Sequence, residues 1–140
     1  MNPSRHGEPS LTRCPWLSGA AGDIVALSGQ QVRTRGELIE AIRGWANTPL
    51  PAGRDVALYD SDPWRFTAAL LGLWHAGHRV WLPGDNLPDT VAHLRQRDLT
   101  LLGEFVEAWV PAPPTAHTLP APDLSPAQDA VVLFLSLIHI

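Results

Sequence analysis

Apolar and polar residues follow two different periods along the chain, and the switches between them mark the elements. Ile24-Val25-Ala26-Leu27, then Ser28-Gly29-Gln30, then Gln31-Val32-Arg33 predicts two short strands about a tight glycine-containing turn. Thr34 and Glu37 stand at capping-box spacing, so a helix is expected to begin there. Leu38, Ile39, Ile42, Trp45 and Ala46 share its apolar face, and Asn47-Thr48-Pro49 closes it. The run Asp55 to Asp60, bounded by Gly53 and by Ser61-Asp62-Pro63, has the length and composition of a strand buried in a parallel sheet.

Asp62 can cap and Pro63 can open a second helix carrying Phe66, Ala69, Leu70, Leu73 and Trp74, which Gly77 ends. His78 to Leu82 predicts the next strand, stopping at Pro83-Gly84-Asp85-Asn86. Asp89-Thr90 can open another helix with Val91, Leu94 and Leu99 on it, and Leu101-Leu102 starts a third strand. Asp129 to Ser136 reads as a last buried strand with no helix after it to cover it. Strand, helix, strand in this order implies an α/β fold: a partial parallel (mixed) sheet with crossover helices. Residues 1–22 hold Pro3, Pro9 and Pro15 without periodicity and are expected to be an irregular lead-in. Six prolines between Pro111 and Pro126 predict an extended surface connector.

Composition narrows the function classes. A chain of 140 residues, 45% hydrophobic and 17% charged, fits one globular domain. Net charge is -4, and the ten basic residues are all Arg, scattered along the chain, which argues against a nucleic-acid partner. Without Lys these residues supply no Schiff-base nucleophile and no lysine point charge for a phosphate. Cys14 is the single cysteine, so an internal disulfide is excluded and a reducing cytoplasm is expected. The longest apolar stretch, Ala130 to Ile140, is too short for a membrane span, and the N-terminus lacks the apolar centre of a signal peptide.

Candidate chemistry is sparse. His75 and His78 have a spacing that helical metal ligands use, but Gly77 between them places His78 beyond the helix, and no metal site is expected. Asp60 and Asp62 fall at the carboxyl edge of a strand, where ligands of parallel sheets bind; a turn followed by a helix cap also explains both. Trp45, Trp74 and Trp81 fall on the core side of their elements, whereas the places of Trp64 and Trp109 are open. Neither a Walker A loop, a dinucleotide fingerprint nor a Gly-x-Ser-x-Gly elbow is present, so no catalytic residue is assigned.

The residues Thr34-Arg35-Gly36-Glu37-Leu38, Val56-Ala57-Leu58 with Asp60-Ser61-Asp62-Pro63-Trp64-Arg65-Phe66, and Ala69 to Pro83 with its Ala76-Gly77 and Pro83, resemble in order the opening of the adenylate-forming superfamily. That superfamily includes acyl-CoA synthetases, luciferases and peptide-synthetase adenylation domains. The resemblance covers residues 23–136 and implies an incomplete N-terminal subdomain of the adenylate-forming fold. In its most specific block, Ala76 is expected to permit close helix packing, Gly77 to end the helix left-handed, and Pro83 to stop a strand.

In the family a strand like Val131 to Phe134 runs into a Ser/Thr/Gly-rich loop that holds ATP phosphates. Ser136 matches the first Ser of that loop and is the candidate cofactor-binding residue. Leu137-Ile138-His139-Ile140 then replaces the glycines, and bulky apolar residues do not form a nest of amides. Residues 137–140 are therefore expected to be foreign or out of frame, and the 140 residues to be inactive and to bind no cofactor by themselves.

For the parent protein the resemblance implies ATP, Mg²⁺, a carboxylic acid substrate, and coenzyme A or an acyl carrier protein thiol. The stretch Trp81-Leu82-Pro83-Gly84-Asp85-Asn86 looks more like acyl-CoA-synthetase-like ligases of fatty-acid or aryl polyene pathways than like peptide-synthetase domains. The alternative reading is a small stand-alone α/β module that binds a partner without catalysis.

Overall fold

A computed structural model of the chain describes residues 14–51, 53–105 and 131–134. Two strands, β1 (Ile24–Ser28) and β2 (Gln31–Thr34), form an antiparallel hairpin with a register irregularity between Ile24 and Ala26. Gly29 turns it at a φ of 59°, a conformation that costs glycine little. Helix α1 (Arg35–Ala46) starts on the expected capping box, with both the Thr34 side chain and the Glu37 side chain engaged. There follow β3 (Asp55–Tyr59), α2 (Pro63–His75), β4 (Arg79–Pro83), α3 (Pro88–Gln96), β5 (Thr100–Gly103) and β6 (Val131–Phe134).

The main sheet has the order β5-β3-β4-β6, and each neighbouring pair is parallel. Antiparallel pairing among the described strands is confined to the β1–β2 hairpin. Because strand side chains alternate between faces, the sheet carries two cores. Val56, Leu58, Val80 and Leu102 face α1 and α2, where Leu38, Ile42, Trp45, Ala68, Ala69 and Leu73 complete one cluster. Ala57 and Leu101, with Tyr59 and Trp81, turn the other way toward Leu94 and Val91 of α3, and Leu99 and Phe105 close that side.

Most expected elements stand within a residue or two of their predicted bounds, and the departures have local causes. Leu99 is buried but lies beyond the end of α3, because Asp98 adopts a left-handed φ of 57° that turns the chain into β5. Helix α3 begins at Pro88 rather than at Asp89-Thr90: Pro88 takes the first helical position without a side-chain cap, and Asp85 holds the turn before it by accepting from Leu87 N at 3.0 Å and from Thr90 Oγ1 at 2.5 Å. Pro83 is the last residue of β4, paired with Phe134, rather than the stop after it. Helix α2 ends as expected. Gly77 has a φ of 85°, Gly77 N bonds Trp74 O and His78 N bonds Leu73 O, the paired bonds of a Schellman cap.

One expected role is corrected. Ala76 is exposed and takes no part in helix packing. The close approach falls one turn earlier, at Gly72, where a Cβ would collide with Trp45 Cβ and the Ile42 carbonyl of α1. Within the lead-in, Pro15–Leu17 forms a 3-10 turn that seats Trp16 against the α2 side of the core. Trp45 is buried, Trp74 and Trp81 are half-buried against the first and second cores, and Trp64 is half-buried with Arg33 over its ring at 5.1 Å. The expectations for Trp109, the Pro111–Pro126 connector and residues 137–140 lie outside the described residues.

Candidate functional site

The connection from β3 to β4 runs over the α2 face, and that from β4 to β5 over the α3 face and in the opposite direction along the sheet. Adjacent strands whose connections leave on opposite faces open a crevice at their carboxyl ends, the place where doubly wound sheets hold ligands. Here that crevice lies between β3 and β4. Its walls are Asp60-Ser61-Asp62 after β3 and Gly84-Asp85-Asn86 after β4.

Glu104 ties these walls together. Gly103, at a φ of 91°, lies so close to Tyr59 that a Cβ there would collide with the Tyr59 carbonyl; this contact lets Glu104 N donate to Tyr59 O at 2.7 Å. The Glu104 carboxylate then accepts from Ser61 N at 3.0 Å and Ser61 Oγ at 2.6 Å, while its backbone carbonyl accepts from Asn86 Nδ2 at 2.7 Å. Arg65, on the first turn of α2, donates to Glu104 at 3.2 Å and forks onto Asp60 at 3.0 and 3.1 Å. Asp62 sits 3.7 Å from the same guanidinium and caps α2 through Trp64 N.

Burial opposes charge on Asp60, whose side chain is 8% exposed, but the bonds from Arg65 and from Asp62 N outweigh it and hold the carboxyl below its usual range. Asp60 and Asp62 are therefore committed to a turn, an ion pair and a helix cap. That is the second of the two accounts their sequence position allowed.

His75 and His78 do not converge. His75 is buried and its Nε2 accepts from Trp16 Nε1 at 3.0 Å, with the rings perpendicular at 5.9 Å. His78 lies beyond Gly77, with Nδ1 3.2 Å from the Arg54 carbonyl. Among the described residues no group of three or more His, Cys, Asp or Glu is arranged to hold a metal ion. Ser136 lies outside the described residues; β6, which leads to it, runs parallel to β4 and so points toward the crevice edge.

The crevice residues do not fit a nucleotide triphosphate. Among the described residues three carboxylates surround the one guanidinium, so the rim repels phosphate, and those carboxylates are engaged by Arg65, by Ser61 and by the Asp62 and Trp64 backbone amides rather than aimed at a cation. Sequence pattern alone missed Glu104, Asn86 and Trp16, because none lies in a periodic run. The Gly103-Glu104 pair after an apolar strand is the one local signal that could have marked the first of them.

No family model matches the chain, and no curated protein sequence does. Among solved structures, a point mutant of the amide bond synthetase Mcba from Marinactinospora thermotolerans superposes with a TM-score of 0.54 at 18% identity. The likeness is one of fold. It covers 81% of this chain and 29% of that one, so the chain spans less than a third of the length of the structure it matches. No helix among the described residues is long and apolar enough to cross a membrane.

Proposed function

We propose that this chain is the opening part of an ATP-dependent acyl-activating ligase, which joins a carboxylic acid to AMP and then passes the acyl group to a thiol of coenzyme A or a carrier protein. The observation that carries the reading is the parallel order β5-β3-β4-β6, which aims β6 at the crevice edge beside β4, in a fold shared with an amide bond synthetase. The ordered likeness of Thr34–Leu38, Asp60–Phe66 and Ala69–Pro83 to adenylate-forming enzymes supports it. The single Cys14 suits a cytoplasmic setting.

On this reading the described residues are scaffold. Glu104 and Arg65 brace the crevice, and the groups that meet phosphate and the acyl carbonyl come from the chain that follows β6, starting at Ser136. An acyl-CoA synthetase acting on fatty or aryl acids is the variant that Trp81–Asn86 favours. The test is to sequence the locus past codon 136, express the full frame, and measure pyrophosphate release with ATP, Mg²⁺ and fatty or aromatic acids. A Gly/Ser/Thr-rich loop with a following Lys, activity in the full frame and none in the 140 residues is the expected result. Pyrophosphate release by the 140 residues, or a full frame lacking that loop, overturns the reading.

A second reading, a stand-alone α/β interaction module, is favoured by the hairpin, where Ile24, Leu27 and Val32 are each at least half exposed. A monodisperse, cooperatively unfolding 140-residue chain would support it; aggregation would count against it.

A further inference from the structure

Trp16 fastens the Pro15–Leu17 turn to the core through both its ring and its backbone. The ring centroid lies 6.1 Å from that of Trp74 and 5.9 Å from that of His75, two residues in the last turn of α2. The Trp16 carbonyl accepts from Arg35 Nη1 of α1 at 2.8 Å. Cys14, just before the turn, holds a left-handed φ of 49°, a conformation that a residue other than glycine keeps only where its surroundings impose it.

The bond between Trp16 and His75 admits one charge state of the imidazole. An indole N–H only donates, so at 3.0 Å the His75 Nε2 must accept, and the ring is neutral with its proton on Nδ1. A second proton goes onto Nε2, and two donors then face each other. The end of α2 pulls the other way, because the last carbonyls of a helix favour a cation in its final turn.

The titratable and charged groups around this contact come from four directions. In the lead-in, burial raises the Cys14 thiol, which therefore stays neutral across acid and neutral pH. On α1, Arg35 holds the Trp16 carbonyl and has Asp23 at 4.0 Å, Glu37 is turned to Thr34 and Arg33, Glu40 is exposed, and Arg43 lies about two turns beyond Arg35. Past the end of α2, His78 Nδ1 is 3.2 Å from the Arg54 carbonyl. At the feet of β3 and β4, Arg79 is forked onto Asp55.

We propose that His75 is a pH-sensitive latch for the lead-in: neutral, it holds Trp16 on α2, and protonated, it releases the Pro15–Leu17 turn and uncovers Trp74. The seated form admits only neutral His75, whereas the released form admits both charge states. The seated form therefore binds fewer protons, and acid moves the balance toward release, by about tenfold per pH unit at the limit set by one proton. Histidine is the side chain that ordinarily changes charge in this way between about pH 8 and pH 5. The inference stands apart from the ligase reading, since it uses no residue of the crevice.

The experiment follows the 140-residue chain by NMR from about pH 8 to about pH 5, reading the His75 imidazole nitrogens for protonation and the cross-peaks between the Trp16 and Trp74 rings for seating. The Trp45 ring, buried in the first core, reports that the fold is intact. The expected result is loss of the Trp16–Trp74 cross-peaks with the same midpoint as His75 protonation, while the Trp45 signals stay in place. In His75→Gln, whose amide oxygen accepts at every pH, the cross-peaks should persist to pH 5. If that variant does not seat Trp16 even at pH 8, the two midpoints in the parent chain decide alone. Cross-peaks that survive protonation of His75, a His75 that stays neutral to pH 5, or cross-peaks lost with the same midpoint in His75→Gln overturn the proposal.

Discussion

Gly72 of α2 lies directly against Trp45 of α1, so close that a Cβ there would meet both the Trp45 side chain and the Ile42 carbonyl. The first core depends on this approach, because α1 reaches Val56, Leu58 and Leu73 only when the helices lie this close.

Gly72→Ala therefore sets two effects against each other. Alanine favours the helix by up to about 1 kcal/mol. Overpacking against a backbone carbonyl that cannot swing away costs about 1–3 kcal/mol. Net destabilisation is expected in urea unfolding of the 140-residue chain; a variant more stable than the parent would show that α1 and α2 separate freely.

Glu104 is expected to act as a brace whose acceptor atoms matter more than its charge. Glu104→Ala leaves Ser61 N, Ser61 Oγ and part of Arg65 without their partner, a loss of about 1–2 kcal/mol for a partly exposed site. Glu104→Gln keeps an acceptor for Ser61 and should lose less. Equal losses in the two variants, measured by denaturant midpoint, would contradict the brace.

Acid should weaken the fold through Asp55 and Asp60, whose carboxyls are both held below the usual range in the folded chain. A carboxyl of depressed folded pKa binds fewer protons folded than unfolded, so its contribution is complete above the unfolded value and lost as pH falls through the folded one. Stability should decline from about pH 4 downward, near the ordinary Asp value. Asp55→Asn should flatten part of that decline in thermal melts run across acid pH, and an unchanged slope would refute the assignment.

Thr34→Ala removes the side chain that accepts from Glu37 N at 3.3 Å and breaks the reciprocal cap of α1. A loss of about 1 kcal/mol is expected. Thr34→Ser keeps the hydroxyl and should retain most of the stability; a serine variant as weak as the alanine one would show that the cap is not what Thr34 contributes.

Where a single segment contains the whole cause, sequence pattern and structure agree. The capping box at Thr34 and Glu37, the Asp62-Pro63 start of α2, the Gly77 cap and the apolar runs of β3 and β5 need only neighbours a few residues away, so periodicity and turn chemistry determined them. The parallel pairing of β3 with β4 was likewise legible, since the helix between them supplies the crossover that parallel neighbours need.

Tertiary structure decided what depends on residues far apart in the chain. Gly72 and Trp45 are 27 positions apart, and which small residue of α2 admits α1 follows from the helix crossing rather than from the Ala76-Gly77 motif beside it. Glu104 meets Ser61 across a separation of 43 residues and Arg65 across 39, while Trp16 reaches His75 across 59. No local rule pairs such residues: Glu104 meets Ser61 and Arg65 only once parallel strands bring their carboxyl ends to one edge, and Trp16 meets His75 only once the Pro15–Leu17 turn packs on the end of α2. The same physics placed Arg54, Arg79 and Arg97 on one cavity at the other edge, although along the chain they stand as scattered charges.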